Sequence, residues 1–113
     1  MPITNDDINS RQFLTEMYRD SYFPNFMVDK VKAILTGLCE KIEEKKPQNP
    51  EELLLLTHTA TEMINDLQEE FEENGSEIET AAREAIADDF DFIVKTYGFD
   101  QVDIEDVIEP RDW

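Results

Sequence analysis

Large apolar side chains recur every three or four positions through most of this chain, the spacing of one helix face and not of a strand. Between residues 24 and 46 they are Met27, Val28, Val31, Ile34, Leu35, Leu38, Cys39 and Ile42. At 100° per residue they share a sector of about 140°. Between 50 and 73 the stripe is Leu53, Leu56, Thr57, Ala60, Met63, Ile64, Leu67 and Phe71. From 76 to 97 it is Ile78, Ala82, Ala85, Ile86, Phe90, Ile93 and Tyr97. Two shorter stretches carry the same period: Phe13, Leu14, Met17 and Tyr18, and then Val102, Ile104, Val107 and Ile108.

The interruptions fall where helices begin and end. Ser10 is placed to cap the first short helix. Pro24 suits the first turn of the second helix but not its interior. Asn49, Pro50, Glu51 and Glu52 read as cap, first-turn proline and acidic first turn of the third. Asn74-Gly75 is its stop signal, and Ser76 with Glu79 has capping-box spacing for the fourth. Gly98 ends that helix, with Phe99 set to fold back past the cap, and Pro110 stops a last helix over about 101–109. The expected fold is all-α: an antiparallel up-down helical bundle with three long helices plus short N- and C-terminal helices, in one acidic domain over 1–113.

The charge is distributed unevenly. Residues 51–113 hold 20 Asp and Glu against Arg83, Lys95 and Arg111, a net of −17 out of −18 for the whole chain. Charge excess can prevent collapse, but here the apolar residues are large and keep helical spacing through the most acidic region. Strong negative charge argues against free nucleic acid and anionic membrane surfaces as partners. The N-terminus has neither a basic start nor an apolar run, and Leu53–Leu56 is the longest apolar run. A lone Cys39 forms no internal disulfide and fits a reducing compartment or a buried apolar role. The expected location is cytoplasmic.

On the third helix, Glu62, Asp66, Glu69, Glu70, Glu72 and Glu73 fall away from the apolar stripe and form a ridge without a base. Two readings stand side by side. One is a solvated face that aids solubility. The other is a docking surface for a basic protein, since unneutralised carboxylates on a rigid face speed encounter with cations. The absence of the usual i,i+4 basic partners favours the second reading.

Other candidate chemistry is sparse. His58 and Glu62 are four apart but point away from the core, and Leu55 stands where a di-metal bundle would need Glu. Asp100, Asp103, Glu105 and Asp106 lack the glycine of a calcium loop. Glu79, Arg83 and Asp89 trespass on the core side of the fourth helix. They read as a capping box with a Glu79–Arg83 ion pair, or as a polar pocket for an anionic ligand. No nucleophile has a base beside it, and no glycine-rich phosphate loop is present. Neither a metal nor a cofactor is expected. Tyr18, Tyr22, Phe23 and Phe26 surround Pro24 as core lids or as a partner anchor, and Trp113 closes the sequence. Leu54 and Leu55 point off the main stripe, toward a terminal segment or a second subunit.

Several stretches resemble an uncharacterised bacterial family of small acidic helical proteins. They are Met17-Tyr18 with Asp20-Ser21-Tyr22-Phe23-Pro24, Thr57-His58 with Thr61-Glu62, the segment from Phe71 through Glu84, and Pro110-Arg111-Asp112-Trp113. The resemblance implies a stand-alone bacterial domain of unknown function and no activity. Taken together, the expected function is a non-enzymatic interaction protein, monomeric or homodimeric, whose acidic helical face docks a basic protein, as an immunity protein or a mimic would. The alternative is a small-molecule-binding bundle or enzyme using Glu79, Arg83 and Asp89.

Overall fold

A computed structural model describes residues 3–113. Among them the regular structure is all helical, with no strand. Seven segments follow in order: α1 Asp6–Ser10, α2 Thr15–Arg19, α3 Asn25–Lys45, α4 Pro50–Asn65, α5 Gln68–Glu73, α6 Thr80–Thr96 and α7 Ile104–Val107.

The best-predicted boundaries carry the expected caps. Asn49 accepts from the Glu52 N–H at 2.9 Å, and the Glu52 carboxylate accepts in return from the Gln48 N–H at 3.0 Å. Beyond α6, Gly98 has φ +95°, a conformation open to glycine without a Cβ penalty. The Phe99 N–H then reaches the Val94 carbonyl at 2.9 Å, which turns Phe99 back onto the core.

Three expectations need correction. Ser10 does not cap a helix but ends α1. Its successor begins only at Thr15, after Leu14 takes a left-handed conformation with φ +59°. The third helix is not continuous. At Asp66-Leu67 the Leu67 N–H turns to the Ile64 carbonyl at 2.9 Å, and Gln68 Nε2 donates to the Asn65 carbonyl at 3.4 Å. A side chain thus occupies an acceptor that an unbroken helix would give to its own backbone. Lastly, no capping box forms at Ser76. Residues 76–79 are irregular chain after the turn at Asn74-Gly75, α6 starts at Thr80, and Glu79 is a cap without a side-chain hydrogen bond.

The packing is anchored on α3, which lies along α4. Only the four-residue link 46–49 separates these two helices in the sequence. Helix α6 packs on α2, α7, α1 and α3, and α7 also touches α4. Met27, Val28, Val31 and Leu35 of α3 meet Leu53 and Ile64 of α4, Phe71 of α5, and Ile86, Phe90 and Ile93 of α6 in one core. Burial of these side chains contributes roughly 1.5–3 kcal/mol each against chain entropy. The last helix is shorter than expected, Ile104–Val107, yet Val107, Ile108 and Trp113 are all buried.

Candidate functional site

The acidic residues of α4 and α5 remain at the surface because the apolar stripe turns the other side of these helices inward. Glu62, Asp66, Glu69, Glu72 and Glu73 are exposed. Glu70 differs: it is half-buried and paired with Lys30 of α3. The sequence contains no Lys or Arg between Pro50 and Glu73, so the base that pairs with Glu70 comes from α3.

The three polar residues of the fourth helix do not come together. Glu79 and Arg83 are exposed, and among the described residues Arg83 has no ion pair within 4.0 Å. Only Asp89 is buried, at 3% exposure. Its partner is Arg11, whose Nε and Nη2 donate to Oδ1 at 3.0 and 2.9 Å, while the Leu14 N–H donates to Oδ2 at 2.8 Å. The Arg11 guanidinium also lies 4.1 Å from the Phe92 ring centroid. Burial pushes the Asp89 carboxyl up, opposed by Arg11 and the Leu14 N–H. Asp89 therefore ties the α1–α2 connection to α6. An inward carboxylate on a helix stripe signalled the need for a cation, but its source lies 78 positions away.

Glu43 was not expected to matter. Its Oε1 accepts from the Thr4 N–H and hydroxyl, both at 2.8 Å, and its Oε2 from the Asn5 N–H at 3.1 Å and the Tyr97 hydroxyl at 2.6 Å. Desolvation alone would raise its pKa, but these donors together hold it down to about 2. The same bond, after the larger effect of burial, pushes the Tyr97 hydroxyl up. The residue joins the N-terminal segment, α3 and the end of α6. A Glu on the flank of an apolar stripe gives no sequence signal of this role.

His58 is half-buried, and its Nε2 lies 2.7 Å from the Asp106 carbonyl. A carbonyl only accepts, so Nε2 carries the proton and the ring fastens α4 to α7. Nearby, Asn65 donates to the Pro110 carbonyl at 2.9 Å and accepts from the Asp112 N–H at 2.8 Å. Cys39 is fully buried, and burial, with a smaller effect from Glu43, pushes its thiol up to about 12. Phe23 is buried, whereas Tyr22 and Phe26 stay exposed beside it. Leu54 packs against the core, but Leu55 is 70% exposed.

One open apolar groove of about 340 Å³ runs between α3 and α4. Among its lining residues are Ala33, Gly37, Ala60 and Met63, with Lys41 and Lys45 toward one end. The described residues contain no cluster of three or more His, Cys, Asp or Glu placed to hold a metal ion. No helix among them is long and apolar enough to cross a membrane.

The described residues form a small all-helical protein whose α4 and α5 expose a row of carboxylates. A family of unknown function, DUF5713, matches residues 7–113, nearly the whole sequence, and the chain belongs to that family. No curated protein and no solved structure gives a significant match.

Proposed function

We propose that this is a non-enzymatic interaction protein whose α4–α5 ridge docks a basic protein surface. The supporting observation is that Glu62, Asp66, Glu69, Glu72 and Glu73 are all exposed on consecutive helices that carry no Lys or Arg. Carboxylates held on one rigid face keep their mutual orientation, so their fields add over the approach path of a cationic partner. Such a surface steers association and selects against acidic competitors more than it adds raw affinity.

The helical framework suits this role. Helix α4 is fixed on α3 below, by His58 to α7 and by Asn65 to the C-terminal segment. Binding there would cost little reordering of the backbone. Glu70, already paired with Lys30, contributes less charge than its neighbours. Cytoplasmic location and a bacterial host are part of this proposal.

The test is affinity capture from the native host with the wild-type protein and with Glu62→Gln/Asp66→Gln/Glu69→Gln/Glu73→Gln. A basic protein held by the wild type, lost by the variant and released as salt rises to about 0.5 M is expected. Capture that is equal for both proteins and unchanged by salt would remove the proposal.

A further inference from the structure

The groove between α3 and α4 is a second feature, distinct from the acidic ridge in composition. Its walls are mostly apolar: Ile34 and Leu38 from α3 with Leu56, Ala60 and Met63 from α4, and Thr59 as the uncharged polar residue of the lining. Met63 is 49% exposed there, a large apolar side chain that the chain itself leaves uncovered. Gly37 lies inside a helix of 21 residues, where glycine is less favourable than alanine. No backbone conformation requires it, since its φ is not positive, and a Cβ built there meets nothing within 4 Å. Intramolecular packing therefore gives no reason for a glycine at this position, which lines the groove.

The charge lining the groove is basic, in a chain of net −18. Lys41 and Lys45 are the charged residues of the lining, and the lining contains no carboxylate. Lys46 follows them, so three of the chain's 10 Lys and Arg fall within six positions. Lys41 has one loose partner, Glu44 at 3.7 Å, with both side chains largely exposed. Lys45 forms no ion pair within 4.0 Å among the described residues. From Ala33 to Lys45 the α3 wall extends roughly 18 Å.

We propose that this groove binds a single-chain anionic amphiphile, a medium-chain fatty acid, with its carboxylate at Lys41 and Lys45 and its tail toward Ala33 and Met63. The volume lies within the roughly 300–1,000 Å³ of small-molecule sites. Apolar lining supplies affinity in proportion to the tail covered, and the two lysines orient the head. A second copy of this chain fits less well. A two-fold partner would present the same lining, and so would offer the lysines no carboxylate from it.

The experiment titrates the full chain with dodecanoate by calorimetry, below the micelle concentration, with dodecanol and dodecyltrimethylammonium as neutral and cationic probes. Saturable one-to-one binding of dodecanoate is expected, at least fivefold tighter than dodecanol and tighter than the cation. Lys41→Glu/Lys45→Glu, a pair of exposed substitutions, should weaken dodecanoate at least tenfold and spare dodecanol. Gly37→Leu should block both probes while thermal unfolding stays cooperative. No dodecanoate binding, equal or tighter binding of the cationic probe, or binding unchanged in both variants would overturn the proposal. So would a wild-type dimer in sedimentation equilibrium that Gly37→Leu dissociates, since the groove would then be occupied by a second copy.

Discussion

The Leu14 N–H donates to Asp89 Oδ2 at 2.8 Å, between residues 75 positions apart. Leu14 sits at φ +59°, a left-handed conformation that costs a residue with a Cβ about 1–2 kcal/mol. The hydrogen bond to a buried carboxylate offsets that cost and fixes where α2 starts. Arg11 neutralises the same carboxylate from the other side. One side chain on α6 thereby organises the whole N-terminal connection.

Removing the carboxylate leaves a buried N–H and a guanidinium without their acceptor. Asp89→Ala should lower the stability by about 3 kcal/mol, and Asp89→Asn, which keeps an acceptor but not the charge, by about 1–2 kcal/mol. Arg11→Ala should fall near Asp89→Ala, because it strands a buried charge. Urea unfolding at neutral pH measures all three. Losses under about 0.5 kcal/mol would contradict the role assigned to the pair.

Glu43 makes the stability depend on acid. Its pKa lies at about 2 in the folded chain against an ordinary 4.5. The ionised form is the one the fold favours, so its contribution is complete above about 4.5. It is lost as the pH falls from there toward about 2. The difference in melting temperature between wild type and Glu43→Gln should therefore shrink across that window. A difference that stays constant from pH 6 to pH 2 would show that the carboxylate's charge plays no part.

Gly98 and Gly37 should respond in opposite directions to the same change. Gly98→Ala forces a Cβ into φ +95° and should cost about 1–2 kcal/mol. Gly37→Ala adds a Cβ that meets nothing within 4 Å and should stabilise by about 0.4–1 kcal/mol. Thermal melts of the two variants would settle the contrast in one experiment.

Self-repulsion among the exposed carboxylates should weaken the fold at low ionic strength. The melting temperature is expected to rise between about 0.01 and 0.3 M sodium chloride, as the Debye length falls from about 30 Å toward a few ångströms. Glu69→Lys/Glu73→Lys should melt higher than wild type at low salt and show a smaller salt response. A flat profile for the wild type would mean the acids are already neutralised.

Cys39 should be inert in the folded chain. Its thiol is buried and held at about 12, so almost no thiolate forms at neutral pH. Iodoacetamide labelling followed by mass spectrometry should show modification only after denaturant is added. Rapid labelling of the native protein would mean that α3 opens locally.

The helical class, the long α3 and the caps at Asn49 and Gly98 were legible in the sequence because each depends on neighbours within a few positions. A stripe of Met27, Val31, Leu35 and Leu38 specifies a helix face without reference to the rest of the chain. The outward direction of Glu62, Asp66, Glu69 and Glu73 follows from the same periodicity. The break at Asp66-Leu67 was not legible, since no glycine or proline marks it; there the Leu67 N–H turns to the Ile64 carbonyl, and the Gln68 side chain reaches the Asn65 carbonyl. The partner of Asp89 was not legible either. Spacing paired Arg83 with Glu79 and offered no cation for Asp89, whereas the fold brings Arg11 from the other end of the chain.

Local periodicity and capping chemistry thus determined which segments coil and which sides turn inward, because a helix face is set by angles of 100° per residue. Only the tertiary structure decided that Glu43 gathers Thr4, Asn5 and Tyr97, that Lys30 neutralises Glu70, and that Lys41 and Lys45 border an apolar groove. Those relationships join residues 38 to 54 positions apart, or place two helices side by side. Their geometry depends on how whole helices pack, and no pattern within one helix contains it.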